Sequence, residues 1–172
     1  MLIKIILIAG LLFIFYQDVR YRAVYWVLFP LLLIPMLILA IEQMSLNELA
    51  NNSGINLAFI LIQLSLLFVY FSAKARSWVN ITTGYLGWGD ILFLLLIAFY
   101  LSPANYLLFY IVSLIIVLIC AIAVLIFQRT KEITIPLAGL QSLFFALVLI
   151  MDWEFPSINI TNDDWLLTYL YL

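Results

Sequence analysis

Long apolar runs dominate this chain, and short polar interruptions separate them. The runs Leu31 to Ile41 and Tyr106 to Phe127 are almost continuously apolar. A membrane-spanning β-strand would alternate apolar and polar positions, so the pattern favours helices. A helix needs about 20 mostly apolar residues to cross the hydrocarbon core. We therefore predict an all-α chain with about six transmembrane helices, at residues 2–17, 24–41, 56–72, 87–101, 105–127 and 134–151.

The sequence Ser102-Pro103-Ala104-Asn105 divides the fourth predicted span from the fifth. Proline ends a helix, and the residue before it avoids the helical region. A single helix over residues 87–127 would be about 60 Å long, roughly twice the thickness of the hydrocarbon core. Two helices that form a hairpin fit the membrane better.

Composition supports the bilayer as the solvent of this chain. Of its 172 residues, 68% are hydrophobic and 9% are charged, whereas roughly a quarter are charged in soluble domains. No basic patch suggests a nucleic-acid partner. The chain contains no histidine, and Cys120 is its single cysteine. We therefore expect no metal site, no cofactor and no disulfide framework.

The basic residues predict the orientation, because cytoplasmic loops are enriched in lysine and arginine. The loops after spans one, three and five hold six of the seven basic residues, whereas the loops after spans two, four and six hold none. Both termini are therefore predicted to be extracytoplasmic, with residues 1–172 forming one transmembrane domain. We interpret residues 152–172 as an extracytoplasmic, interfacial tail. The six basic residues are Arg20, Arg22, Lys74, Arg76, Arg129 and Lys131.

Two aspartates lie at the edges of apolar runs. Asp18 ends the first span, and Asp90 lies near the start of the fourth. These spans run in opposite directions, so both carboxylates are predicted to lie at the cytoplasmic depth. Ionisable side chains at membrane depth tend to face the bundle interior or a water-filled cavity. Folding could therefore bring the two acids together across 72 positions of sequence.

A pair of carboxylates in one wet cleft can hydrolyse a peptide bond. The two groups do not ionise independently and share one proton near neutral pH. One acts as a general base on water, and the other, protonated, polarises the scissile carbonyl. The alternative interpretation is structural, with the aspartates as helix caps or as partners of Arg20 or Arg22.

The sequence around Asp90 favours the catalytic interpretation. Gly87-Trp88-Gly89-Asp90 sets two glycines before the acid, which lowers the local helix propensity and removes side-chain bulk. A peptide backbone could then approach the carboxylate. GxGD alone is a weak pattern. It is more specific when it opens a transmembrane helix at the level of a second aspartate.

With these motifs the chain resembles the type IV prepilin peptidase family, which are GxGD membrane aspartic proteases and include the archaeal preflagellin peptidases. The resemblance lies in residues 18–24 (DVRYRAV), 87–91 (GWGDI) and 135–139 (IPLAG). It implies an intramembrane aspartic endopeptidase that removes the short leader of prepilin-like proteins at the cytoplasmic face. The implied location is the plasma membrane of a prokaryote.

The resemblance also implies roles for individual residues. Asp18 and Asp90 would be the catalytic pair. The residues Gly87, Gly89, Pro136 and Gly139 would shape the active site. Apart from the resemblance, the position of Arg20 and Arg22 beside Asp18 makes them candidates for tuning the aspartates or for holding an acidic group of the substrate.

The chain departs from the family in three ways. Tyr25 stands near the position where many members have proline, and Leu92 stands where many bacterial members have lysine. The large bacterial enzymes also carry a cytoplasmic domain with paired cysteines, which serves methylation of the new amino terminus. That region has no counterpart here, so we expect a peptidase without methyltransferase activity.

Other functions fit parts of the pattern. The presenilin and signal-peptide-peptidase family is similar only over residues 87–90. A small ion-coupled carrier could use the same two acids, although carriers place such groups near the membrane midplane on broken helices. A catalytically inactive scaffold subunit of a pilus or secretion system is a further alternative.

Several polar residues lie within or at the ends of the predicted spans. Interhelical hydrogen bonding explains such residues in membrane proteins. We predict this role for Gln17, Gln63, Ser65, Ser113 and Gln141.

Overall fold

The computed structural model of the chain describes residues 1–80, 82, 86–128, 135–155 and 158–170. Every regular element in this part of the chain is helical, which confirms the predicted all-α class. The helices are α1 (Leu2–Tyr21), α2 (Leu28–Gln43), α3 (Leu46–Ala75), α4 (Trp88–Ala98), α5 (Pro103–Gln128), α6 (Leu137–Glu154) and α7 (Asp164–Leu170).

Four of the described helices are long and apolar enough to cross a membrane. They comprise Leu2–Tyr21, Leu46–Ala75, Pro103–Ile126 and Leu137–Glu154. The apolar helices α2 and α4 are shorter, at 16 and 11 residues. Each of the six predicted spans overlaps one of the helices α1 to α6. The arrangement is compatible with a membrane protein.

The bundle exposes apolar side chains along its outer surface. Leu31, Ile34, Leu61 and Ile126 are each more than half exposed although they lie within helices. In water such a surface would be unfavourable by roughly 25 cal/mol for each Å² of apolar area. Such a surface is compatible with contact to lipid acyl chains.

Helix α3 begins ten residues earlier than the sequence predicts, at Leu46 rather than at residue 56. Ser45 and Glu48 form a capping box, in which the Glu48 N–H donates to Ser45 Oγ at 3.3 Å. In return the Ser45 N–H donates to Glu48 Oε2 at 2.8 Å. These bonds satisfy N–H groups that a helix start otherwise leaves unpaired, so the helix extends into the polar segment.

The predicted break between the fourth and fifth spans is confirmed, because α4 ends at Ala98 and α5 begins at Pro103. Proline is favoured at a first helical position, where its missing N–H costs no hydrogen bond. The segment before α7 packs against this break. The Ser102 N–H donates to the Ile160 carbonyl at 3.1 Å, and Asp163 Oδ2 accepts the Ala104 N–H at 3.4 Å.

Helix α6 makes its most extensive contacts with α1, and it also packs against α4 and α5. Helix α4 in turn contacts α2 and α3. The C-terminal end of α1 and the N-terminal ends of α4 and α6 therefore converge. This convergence creates the candidate site.

Basic side chains lie exposed at the C-terminal ends of two helices. Arg20 and Arg22 follow this pattern in α1, and Lys74 and Arg76 do so in α3. Arg129 and Lys131, which also entered the orientation argument, lie outside the described residues.

Candidate active site

Asp18 lies in the last turn of α1 and faces α6. Only 8% of its surface is exposed. Its Oδ2 accepts a hydrogen bond from the Gly139 N–H at 2.6 Å. The acceptor lies on α1, and the donor, Gly139, lies on α6, 121 positions further along the chain.

Asp90 lies in the first turn of α4, and both of its carboxylate oxygens accept backbone hydrogen bonds. Oδ2 accepts the Gly87 N–H at 3.0 Å, and Gly87 is the residue that caps α4. Oδ1 accepts the Ala138 N–H at 2.8 Å. Asp90 therefore caps the N-terminus of its own helix and also hydrogen bonds to the N-terminus of α6.

The first turn of α6 holds both carboxylates side by side. The N–H groups of the neighbouring residues Ala138 and Gly139 donate to Asp90 and to Asp18, respectively. Such N–H groups have no partner inside their own helix, and the positive end of the helix dipole favours negative charge there. The two acids therefore accept hydrogen bonds from consecutive residues of one helical turn.

A cavity of about 840 Å³ opens at the two aspartates. Its walls come from the segment after α1, from the segment before α4, from α5 and from the start of α6. A cleft of this size can hold several residues of an extended peptide as well as water. The lining residues include Asp18, Arg22, Ala23, Val24, Thr82, Leu86, Gly87, Trp88, Gly89, Asp90, Val117, Ile135, Leu137 and Ala138.

Gly139 allows α6 to approach α1 closely. A Cβ atom on Gly139 would lie 2.9 Å from the Asp18 Cβ and 3.3 Å from the Phe15 carbonyl oxygen. Both distances are shorter than ordinary van der Waals contact. Any side chain at this position would therefore push the first turn of α6 away from Asp18.

The glycines of the GxGD sequence differ in how much space surrounds them. A Cβ atom on Gly87 would lie 3.1 Å from Asp90 Oδ2. The described atoms nearest to a Cβ atom on Gly89 would belong to Val24 and Ala138, at 3.7 Å or more. A side chain at position 87 would therefore displace the Asp90 carboxylate. At position 89 the missing side chain leaves part of the cavity wall open.

Pro136 caps the N-terminus of α6, and its carbonyl accepts the Leu140 N–H at 3.0 Å. Its position fixes where the helix begins. The two N–H groups that reach the aspartates follow directly from that start.

The two arginines near Asp18 have different positions. Arg22 ends α1 in the left-handed conformation, with φ 54°, and it lines the cavity. Its N–H donates to the Asp18 carbonyl at 3.0 Å. Arg20 is exposed on α1. Of the two, Arg22 is therefore the better candidate to act on Asp18 or on a bound substrate.

The two positions that depart from the family pattern do not block the cavity. Tyr25 is 74% exposed, and its N–H donates to Oε1 of the buried Gln17 at 3.1 Å. Leu92 lines a separate apolar groove of about 200 Å³ between α2 and α4. A change at Leu92 therefore alters the groove rather than the surroundings of Asp90.

The sequence alone did not reveal the contribution of the backbone. The predicted site comprised side chains, whereas the N–H groups of Ala138 and Gly139 join the two acids. The cavity-lining residues Thr82 and Val117 were also missed. A signal for the N–H groups existed, because an Ile-Pro pair before an apolar run marks a helix start with unpaired N–H groups.

The internal polar residues mostly hydrogen bond between helices. Gln63 Nε2 on α3 donates to the Tyr110 hydroxyl on α5. Gln141 Nε2 on α6 donates to Ser113 Oγ on α5 at 3.0 Å. The prediction was wrong for Ser65, whose hydroxyl donates within α3 to the Leu61 carbonyl at 2.7 Å. The described bond of Gln17 also does not join two helices, because its Oε1 accepts the N–H of Tyr25 in the segment between α1 and α2.

Chemically, the arrangement combines two adjacent carboxylates with a cavity large enough for a peptide and for water. This is the minimal set for acid–base hydrolysis without a metal. Comparison of the chain with models of known protein families found no match, and comparisons with curated proteins and with solved structures also found none.

Proposed function

We propose that this chain is an intramembrane aspartic endopeptidase that removes the short leader of type IV prepilin-like proteins. The observation that carries the proposal is the pairing of Asp18 and Asp90 on consecutive N–H groups of α6, at the edge of the cavity. Two structural acids would need neither this pairing nor a cavity of about 840 Å³.

In the proposed mechanism the two carboxyl groups share one proton. The ionised group removes a proton from a water molecule as the water attacks the scissile carbonyl carbon. The protonated group donates a hydrogen bond to the carbonyl oxygen and stabilises the charge that develops there. The C–N bond then breaks as the proton taken from the water passes from the carboxyl group to the leaving amine nitrogen, and the dyad again holds one proton. The N–H groups of Ala138 and Gly139 hold the carboxylates in position, so that little reorganisation accompanies the reaction.

The proposed substrate enters from the cytoplasmic side of a prokaryotic plasma membrane. Aromatic residues of the kind found at membrane interfaces lie between α1 and α2, after α3 and at the start of α4. Tyr25, Trp26, Trp78 and Trp88 are all largely exposed. This belt supports a site at the membrane surface, and a leader peptide outside the bilayer could reach it. The proposal includes six spans with both termini extracytoplasmic.

The decisive experiment is a cleavage assay. The chain is co-expressed with prepilin-like proteins, and leader removal is followed as a shift in substrate size. We expect the wild type to cleave and both Asp18→Asn and Asp90→Asn to lose cleavage, because either change removes one partner of the proton exchange. Glu154→Gln, at an exposed acid at the end of α6, is the matched control and should retain full activity.

Each other outcome has a definite meaning. Cleavage that survives either aspartate variant at equal membrane insertion would disprove the dyad. A wild-type chain that cleaves no prepilin-like protein would favour an inactive scaffold subunit or an ion-coupled carrier.

The pH dependence offers an independent test. A dyad that works with one shared proton loses activity at low pH, when both groups are protonated, and at high pH, when both are ionised. We therefore expect a bell-shaped profile of kcat/KM for a purified enzyme and a synthetic leader peptide. A rate that rises with pH to a plateau would contradict the shared-proton mechanism.

A further inference from the structure

A second, much smaller cavity lies deeper in the bundle, behind the candidate active site. Its volume is about 30 Å³. Leu86 and Leu137 line both cavities and form the partition between them. The remaining walls of the small cavity come from α3, α4, α5 and α6.

Two amide oxygens at this cavity have no hydrogen-bond donor among the described residues. They are Oε1 of Gln63 and Oε1 of Gln141, and both atoms are buried. Only 1% of the Gln141 surface is exposed. A buried carbonyl without a donor costs about 1–3 kcal/mol, so two of them on one cavity require an explanation.

The nitrogen atoms of the same two side chains already have partners. Gln63 Nε2 donates to the Tyr110 hydroxyl, and Gln141 Nε2 donates to Ser113 Oγ. These bonds hold the two amides in place, and both side chains line the small cavity. Because Tyr110 accepts from Gln63, its hydroxyl hydrogen is left available to donate to a third group.

We infer that the small cavity is a binding site for one ordered water molecule. A single water needs a cavity volume of roughly 10–15 Å³, which this cavity exceeds. Buried waters make about three hydrogen bonds. The water would donate to Gln63 Oε1 and to Gln141 Oε1, and it would accept from the Tyr110 hydroxyl. It would thereby link α3, α5 and α6 in a region that is otherwise apolar.

The water would lie close to the residues that position the two aspartates of the candidate active site. Ile91 and Leu137 line the small cavity, and they adjoin Asp90 and Ala138 in sequence. A bridge from α3 to α6 at this depth would hold the start of α6 against α3. The inference concerns hydration alone and does not depend on peptidase activity.

Radiolytic footprinting of the purified, detergent-solubilised protein tests the site. X-ray radiolysis of a bound water releases hydroxyl radicals that modify adjacent side chains, even buried ones. Leu94 lines the small cavity and is 5% exposed, whereas the buried Leu149 is 0% exposed and is not among the residues that line it. We expect Leu94 to be modified several-fold more than Leu149 in the wild type.

The variant Gln63→Met/Gln141→Met removes both amide oxygens at nearly constant volume. Modification of Leu94 should then fall to the level of Leu149, and Tyr110→Phe should give an intermediate value. Equal modification of the two leucines in the wild type would overturn the inference, and this measurement needs no variant to fold. Unchanged Leu94 modification in a folded, monodisperse double variant would overturn it as well.

Discussion

At the scale of single residues, backbone atoms matter as much as acidic side chains. Asp18 and Asp90 accept hydrogen bonds from neighbouring N–H groups, and these bonds determine where each carboxylate lies. The absence of a side chain at Gly139 makes the contact possible, since a Cβ atom there would lie 2.9 Å from the Asp18 Cβ. The Ile-Pro-x-x-Gly sequence is thus part of the site, although it contains no chemically reactive group.

The variant Gly139→Ala tests this role. Overpacking costs about 1–3 kcal/mol, which exceeds the gain of about 1 kcal/mol from replacing a helical glycine by alanine. We expect a lower melting temperature in detergent. We also expect cleavage to slow by on the order of 100-fold, the effect of displacing a catalytic group by about 1 Å.

Gly54→Ala is the matched control for that variant. Gly54 lies within α3, and a Cβ atom there would have no neighbour within 4 Å. Its melting temperature should rise slightly, because alanine favours the helix by roughly 0.5–1 kcal/mol. Wild-type stability together with wild-type cleavage in Gly139→Ala would show that the close approach of α6 to α1 is not required.

At the scale of elements, helix termini determine both the fold and the site. The start of α6 holds the two aspartates, and the Ser45–Glu48 capping box starts α3. The two termini lie in different parts of the bundle, since Ser45 is not among the residues that line the large cavity. Stability and catalysis should therefore respond separately to changes at these two helix starts.

Ser45→Ala should destabilise the fold by about 1 kcal/mol, the usual cost of losing an N-cap. Thermal unfolding followed by tryptophan fluorescence would detect the loss, and cleavage measured below the melting temperature should not change. Ser65→Ala is the comparison, because the exposed Ser65 hydroxyl donates to the Leu61 carbonyl of its own helix and its removal should be nearly neutral. Equal melting temperatures for the two variants would contradict a stabilising role of the capping box.

At the scale of the whole molecule, orientation decides which compartment the cavity faces. Arg22 and Thr82 line the cavity, and both follow helices whose ends carry exposed basic residues. The enrichment of basic residues in cytoplasmic loops therefore favours a cytoplasmic cavity. The interfacial tail and the single domain, which also belong to this scale, stay predictions.

Single cysteines introduced into a Cys120→Ala background test the orientation. Arg76→Cys, at the end of α3, should react with a membrane-impermeant maleimide only after permeabilisation. Asn47→Cys, at the start of the same helix, should react in intact cells. Both positions are exposed, so accessibility within the protein does not limit the reaction. The reverse labelling pattern would place the cavity on the extracytoplasmic side of the membrane and would exclude cleavage at the cytoplasmic face.

The sequence by itself determined the helical class and the break at Ser102-Pro103, and it singled out Asp18 and Asp90 as two acids that folding could bring together. Each of these follows from local properties, namely apolar run length, proline geometry and the cost of ionisable groups at membrane depth. It misjudged the start of α3, because the ten residues from Leu46 are polar enough to resemble a loop, whereas the capping box makes them helical.

Only the tertiary structure decided what the aspartates contact. The bond from Gly139 to Asp18 joins residues 121 positions apart, and the bond from Ala138 to Asp90 joins residues 48 positions apart. Such pairs depend on how α1, α4 and α6 pack, and the apolar pattern of a helix in lipid does not specify which face meets which neighbour. The same packing creates the small cavity between Gln63 and Gln141, which no property of either residue alone predicts.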